Sequence, residues 1–224
     1  MKQLLFAVIL VFALSFQQAL ASSQYKADEF SLILPDGWSE MTPDALNEMT
    51  QNVSGEGIPW QMGFSTTPDQ PYELPLVVIQ RIVTKDIDKG GLAGMAAESV
   101  RAMAGQYGEF SHVFDEASGT LRFELPISDG FTLFGYTAYY VRNGFIQVLG
   151  YNKAGCESSH EQVRAIADSL VINPELAVPE SLSAVSGVLN SFTGVGPIVF
   201  FSFVIASLMG SLAVFIVKKR TGTK

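Results

Sequence analysis

The chain of 224 residues has one cysteine, Cys156, two histidines, His112 and His160, and only 16% charged residues, against roughly 25% in an average soluble domain. A single cysteine excludes a disulfide-stapled scaffold. With no CxxC pair and no Cys/His cluster at ligand spacing, nothing in the sequence points to a structural zinc or a dithiol redox centre. Neutral-pH bases are equally scarce. Neither histidine belongs to an HExxH, and GxSxG and GxGxxG are absent. Ser23-Gln24-Tyr25-Lys26 has the SxxK spacing, but without its companion motifs and at the head of the expected mature chain it reads as chance.

Long apolar runs, in contrast, occur at both ends. Lys2, the uncharged stretch from Leu4 to Phe16 and the small residues Ala19-Leu20-Ala21 follow the order of a secretory signal, with cleavage expected between Ala21 and Ser22. No cysteine lies near that cut, which argues against lipoprotein processing. The run from Val195 to Val217 carries no charge and at ~1.5 Å per residue exceeds a hydrocarbon core of ~30 Å, so it is expected to span. Lys218, Lys219 and Arg220 follow at once, and by the positive-inside rule they put the C-terminus in the cytoplasm. Ser202, Ala206 and Gly210 fall four apart on one helix face, a small-residue strip on which the span could pair with itself or another span. The expected location is a bacterial inner membrane with the domain in the periplasm, although Asn52-Val53-Ser54 would be a glycosylation acceptor on a eukaryotic secretory route.

The exported part, 22–194, holds all 22 acidic residues and all but five of the 14 basic ones, a net charge of −13. Such a field repels phosphate backbones and anionic headgroups, so nucleic acid is not an expected partner. It suits a basic protein surface or loosely held divalent cations, and it also keeps a domain soluble. Cys156, without an intrachain partner, is expected to be buried ahead of a helix, the alternative being an intermolecular thiol.

Periodicity gives the elements. Phe30 to Leu34 alternates as a strand and ends at the turn Pro35-Asp36-Gly37. Trp38 begins a second short strand, and Pro43 to Met49 reads as a helix with Thr42 as N-cap. Gln61 to Thr66 and Leu76 to Thr84 read as strands, the second apolar on both faces and therefore interior to a covered sheet. Leu92, Met95, Ala96, Val100 and Met103 recur at helical spacing within Gly91 to Gln106. Strands are expected at Phe110 to Phe114, Thr120 to Leu125, Phe131 to Arg142 and Phe145 to Tyr151, the last two joined by Asn143-Gly144. Ser159 and Gln162 have capping-box spacing ahead of the stripe Val163, Ile166, Ala167 and Leu170. The sum is an α+β domain, 22–173, with a largely antiparallel sheet and helices packed on its faces. A linker, 174–194, follows; Leu182, Val185, Leu189 and Phe192 keep helical spacing within it.

Few residues suggest chemistry. Asp86-Ile87-Asp88-Lys89-Gly90-Gly91 imitates the start of a calcium loop, but its twelfth position is Ala97 where a bidentate Glu is required, so it reads as a strand-to-helix turn. Asp115 and Glu116 are adjacent in a strand and point to opposite faces. Phe131, Phe134, Tyr136, Tyr139, Tyr140, Phe145 and Tyr151 read as core and sheet surface, or as the lining of a ligand cleft.

The strand entering Leu34-Pro35-Asp36-Gly37-Trp38, the long middle helix, the late hairpin Tyr139-Tyr140-Val141-Arg142-Asn143-Gly144 and the close Ala167-Asp168-Ser169-Leu170-Val171-Ile172 resemble the PsbP-like, DcrB-like α/β/α sandwich superfamily over about residues 25–172. That resemblance implies binding or assembly support rather than catalysis. Its members are commonly soluble or lipid-anchored, and the C-terminal span departs from this. The expectation is a single-span envelope protein whose non-catalytic domain binds a protein partner, with no cofactor, no metal and no catalytic residue. The alternatives are a domain that holds a small apolar or aromatic ligand and an enzyme whose residues go unrecognised.

Overall fold

The computed structural model describes residues 22–53, 60–84, 86–126 and 132–180. The expected signal sequence with Ala21, Ser54 of the glycosylation triplet, Phe131, the span with Ser202, Ala206 and Gly210, and the tail with Lys218, Lys219 and Arg220 lie outside these residues. Among the described residues no helix is long and apolar enough to cross a membrane.

In chain order the elements are β1 (Ser23–Lys26), β2 (Phe30–Leu34), β3 (Ser39–Glu40), α1 (Pro43–Val53), β4 (Met62–Ser65), β5 (Leu76–Val83), α2 (Lys89–Tyr107), β6 (His112–Asp115), β7 (Thr120–Pro126), β8 (Thr132–Val141), β9 (Gly144–Lys153), α3 (Glu157–Asp168), β10 (Val171–Ile172) and a 3-10 turn at Pro174–Leu176. The strands form two antiparallel sheets, one ordered β1-β2-β10 and one ordered β3-β4-β5-β9-β8-β7-β6. Strand β5 lies inside the larger sheet and buries every residue from Leu76 to Ile82, the apolar Leu76, Val77, Val78, Ile79 and Ile82 together with the polar Gln80 and Arg81.

Alternation along the strands of that sheet sends side chains into two cores. On one face Leu76, Val78, Leu121, Phe123, Phe134, Tyr136, Phe145 and Tyr151 meet Ala45 and Met49 of α1 and Leu92, Ala96 and Met103 of α2. On the other, Val77, Ile79, Ile146 and Val148 meet Phe30, Leu32 and Leu34 of β2 and Val163, Ile166 and Ala167 of α3. The seven-stranded sheet is thus a middle layer, with α1 and α2 on one side and the small sheet plus α3 on the other. Gly150 lets α3 seat closely, because a Cβ there would sit 2.3 Å from Val163 Cγ1.

Local signals hold at several helix ends. Thr42 Oγ1 accepts from Ala45 N at 3.3 Å, and α2 starts two residues before the expected Gly91 because Asp88 Oδ1 accepts from Gly91 N at 3.0 Å. Four expectations are corrected. The β8–β9 turn is Arg142-Asn143, since Val141 pairs with Gly144; Gly144 opens β9 at φ 135°, where a Cβ would lie 2.0 Å from Ile82 O of the neighbouring strand. Ser159 and Gln162 form no capping box: Ser159 Oγ donates to Cys156 O at 3.0 Å, and Gln162 Oε1 accepts from the buried Trp38 Nε1 at 3.1 Å. Trp38 precedes β3 rather than opening it. Cys156 is the N-cap of α3, and an N-cap stands at the rim of the packed layer, so it is half-exposed rather than buried.

Residues expected to start the linker are held on the domain. Arg142 N donates to Leu176 O at 2.8 Å and Lys89 N to Pro179 O at 3.0 Å, Lys89 pairs with Glu180, and Val178 packs on the α1–α2 core. Arg81, with only 5% of its side chain exposed, ties the same end together through Glu29 Oε1 at 3.3 Å, Phe145 O at 3.3 Å and Asn143 Oδ1.

Candidate functional site

Among the described residues, two places combine polar groups with open space. The first lies on the outer face of the small sheet. In the register of β1, β2 and β10, Lys26, Ser31 and Val171 form one row across the three strands, and Gln24 stands beside Ile33 in the next. Alternation turns Phe30, Leu32 and Leu34 inward, so Ser31 and Ile33 face away from the core. Ile33 remains 49% exposed and Val171 63% exposed. At the β1–β2 turn this face opens into a groove of about 290 Å³, walled by Lys26, Ala27, Asp28, Ile172, Asn173 and Pro174. The wall is braced: Asn173 N donates to Glu29 O at 2.8 Å and Asn173 Nδ2 to Asp28 O at 3.0 Å.

The second place lies under α3. Along β7, Arg122 and Glu124 alternate with the buried Leu121, Phe123 and Leu125. They meet His160, Arg164 and Asp168, spaced four apart on the facing helix. Glu124 Oε1 accepts from His160 Nε2 at 3.0 Å and from Arg164 Nη2 at 2.8 Å, and Arg122 pairs with Asp168 at 2.8 Å. Burial raises the Glu124 carboxyl's pKa, but the hydrogen bonds from Arg164 and His160 outweigh it and hold the group below its ordinary value. Tyr139 OH donates to Ala167 O, and its phenol is pushed up to about 12, chiefly by burial. The sequence carried a signal for this cluster that the motif search missed: a charged stripe of period two in β7 faces one of period four in α3.

Single residues that sequence reasoning weighed are placed elsewhere. His112 is exposed on β6, its ring 5.9 Å from that of Phe110. The ring of His160 goes to Glu124, while the Cys156 thiol is 3.9 Å from Ser158 Oγ, so the two do not act as a nucleophile–base pair. Hydrogen bonds from Ser159 and then Ser158, with Lys153 nearby, lower the thiol's pKa. Asp86 pairs with Arg142 at 4.0 Å and Asp88 caps α2. Asp115 accepts from the Ser118 hydroxyl at 2.7 Å and from Ala117 N at 3.0 Å. Ser23 and Lys26 stand three apart in β1 and point to opposite faces. Of the aromatic set, Phe134, Tyr136, Tyr140, Phe145 and Tyr151 lie in the α1–α2 core and Tyr139 in the other; Phe123 stacks on Tyr136 at 4.6 Å, and Phe134 lies 5.1 Å from Tyr151.

No family model and no curated protein sequence matches this chain. Among solved structures it is similar to cyanobacterial PsbP from Synechocystis sp. PCC 6803, at 11% identity over 70% of this chain and 95% of that one, with a TM-score of 0.42. It is also similar to LpqN, described as involved in cell envelope biogenesis of Mycobacterium tuberculosis, at 17% identity over 70% of this chain and 88% of that one, with a TM-score of 0.38.

Proposed function

We propose that the chain is a single-span envelope protein whose exported domain is a non-catalytic docking module. Its partner is a protein segment that brings an apolar side chain flanked by lysine or arginine to the outer face of the small sheet. The observation that carries this reading is the pair Ile33 and Val171, exposed together on a sheet face that opens into the groove. The solvated face of an antiparallel sheet ordinarily carries polar side chains, and apolar side chains exposed side by side there mark interaction sites. Charge favours the partner's chemistry. Arg81, Lys89, Arg122, Arg142 and Arg164 are already engaged by the domain's own acids, and the exported part carries a net charge of −13. Near the groove Asp28 and Glu175 are exposed. The groove of about 290 Å³ is open along the sheet, which suits a side chain of a protein better than a small molecule, whose pocket ordinarily encloses most of it.

The test is site-specific photocrosslinking of the full chain in membranes. A photoreactive residue at Ile33 or Val171 is expected to trap one protein through a Lys/Arg-rich segment, and the same residue at Val113, on the edge strand of the other sheet, is not. Replacing Asp28 and Glu175 with Lys should reduce the adduct severalfold. Equal adducts at all three positions, or a trapped segment without basic residues, would overturn the reading.

A further inference from the structure

Residues 173–180 start in the wall of the groove and end on the opposite layer of the domain. Asn173 and Pro174 line the groove, and Leu176 O accepts from Arg142 N of the β8–β9 turn at 2.8 Å. Val178 then packs on the α1–α2 core, and Pro179 O and Glu180 meet the backbone and side chain of Lys89, the first residue of α2. The segment is a strap across one end of all three layers. Its two ends are held differently. At Asn173 the backbone N–H donates to Glu29 O at 2.8 Å, the side-chain amide donates to Asp28 O at 3.0 Å, and Oδ1 accepts from Glu175 N at 3.1 Å. The outer end rests on one backbone hydrogen bond, the half-buried Val178 and an ion pair in which Glu180 is 82% exposed.

Strap and groove wall are joined a second time, through the buried Arg81. Its guanidinium donates to Glu29 Oε1 at 3.3 Å and to Asn143 Oδ1. Glu29 stands in the β1–β2 turn between the groove residues Asp28 and Phe30, and Asn143 follows Arg142, whose N–H holds Leu176 O. Leu176 N in turn donates to Asn173 O at 2.9 Å. The links close into a ring, Asn173–Glu29–Arg81–Asn143–Arg142–Leu176, in which each contact supports the next. We propose that groove wall and strap are one cooperative unit, and that docking at the groove and release of the strap oppose each other. A docked side chain meets Asn173 and Pro174 in place only while the ring is closed. By linkage, whatever frees the strap weakens docking, and docking holds the strap shut. Release adds residues 174–180 to the linker, about 24 Å of reach when extended, so a partner in the groove also keeps the domain near its anchor. The coupling rests on the docking role proposed for the groove and on the proposed span.

Hydrogen exchange of the full chain in lipid nanodiscs, read at single amides, tests the unit from both ends. Val178→Asp expels the outer end of the strap without touching the groove lining. It is expected to speed exchange severalfold at Lys89 and Arg142 and also at Asn173, while Val178→Leu keeps the apolar contact and the protection. Glu29→Ala breaks the ring at the groove and should speed exchange at Asn173 and also at Arg142; Glu29→Gln keeps an acceptor for Arg81 and should stay protected. The amide of Gln61, which donates to Ile79 O outside the ring, should not change. Acceleration confined to the perturbed end, or equal at Gln61, overturns the unit. Docking is read separately, as the adduct from a photoreactive residue at Ile33. Val178→Asp should reduce it severalfold, although the added negative charge by itself favours a basic partner. An undiminished adduct overturns the opposition between docking and release. With no adduct in the parent chain the docking role fails, and exchange alone decides the unit.

Discussion

The hydroxyl of Ser169 accepts a hydrogen bond from Ile33 N at 2.9 Å and donates one to Ile166 O, also at 2.9 Å. In the β2–β10 register Val171 pairs with Ser31, and Ser169 falls two residues further, opposite Ile33. The side chain thus continues the ladder where the backbone of β10 has already turned into α3. The residue that ends the helix also supports the strand that carries the exposed Ile33. Replacing Ser169 with Ala should cost about 1 kcal/mol, the net worth of a typical intramolecular hydrogen bond, read as a lower midpoint in urea at unchanged slope. A variant as stable as the parent would show that water substitutes fully for the hydroxyl.

The seat of α3 on Gly150 allows a paired test. Gly150→Ala pushes a Cβ into Val163 Cγ1, and overpacking of this kind typically costs ~1–3 kcal/mol. Val163 is β-branched and cannot swing aside. Removing its methyl groups in Val163→Ala should relieve the clash, so the double variant should be no less stable than Val163→Ala alone. Additive losses would place the cost in the strand backbone instead.

Acid should loosen α3. Because the folded-state pKa of Glu124 lies below its ordinary value of 4.5, the group's contribution to stability is complete above that value and is lost as pH falls through the folded pKa. With a third of the side chain exposed, solvent screening limits the effect to about 1 kcal/mol. Glu124→Gln should therefore lower stability at neutral pH and flatten the acid limb of the unfolding curve. Parallel pH profiles for parent and variant would refute the assignment.

Cys156 should react in the folded state. It is half-exposed, and the hydrogen bonds from Ser159 and Ser158 favour its thiolate. Alkylation of the native chain by iodoacetamide is expected to reach half its limiting rate below pH 9.0, the ordinary value for a thiol. Ser159→Ala should move that midpoint upward. Protection of the thiol until the chain unfolds would mean that the rim of α3 is covered.

What the sequence by itself determined is what repeats along the chain. The apolar residues Leu76 to Ile79 with Ile82 set an interior strand, the stripes Leu92–Ala96–Met103 and Val163–Ile166 set the buried faces of α2 and α3, and Thr42-Pro43 sets a helix start. Each follows from period and local chemistry within a few residues. The tertiary structure decided which of these surfaces meet. Lys26, Ser31 and Val171 come from distant parts of the chain and form one row only through the antiparallel register. Glu124 finds His160 and Arg164 only because Gly150, with no Cβ to meet Val163, lets the helix approach the sheet. Gly144, which reads locally as a turn residue, is demanded by the backbone of β5 across the ladder, and that turn shifts by one. Residues 174–180, of linker composition, are held by backbone acceptors that meet Arg142 and Lys89. Period is a property of neighbours in sequence; register, close approach and the partner of a charge depend on neighbours in space.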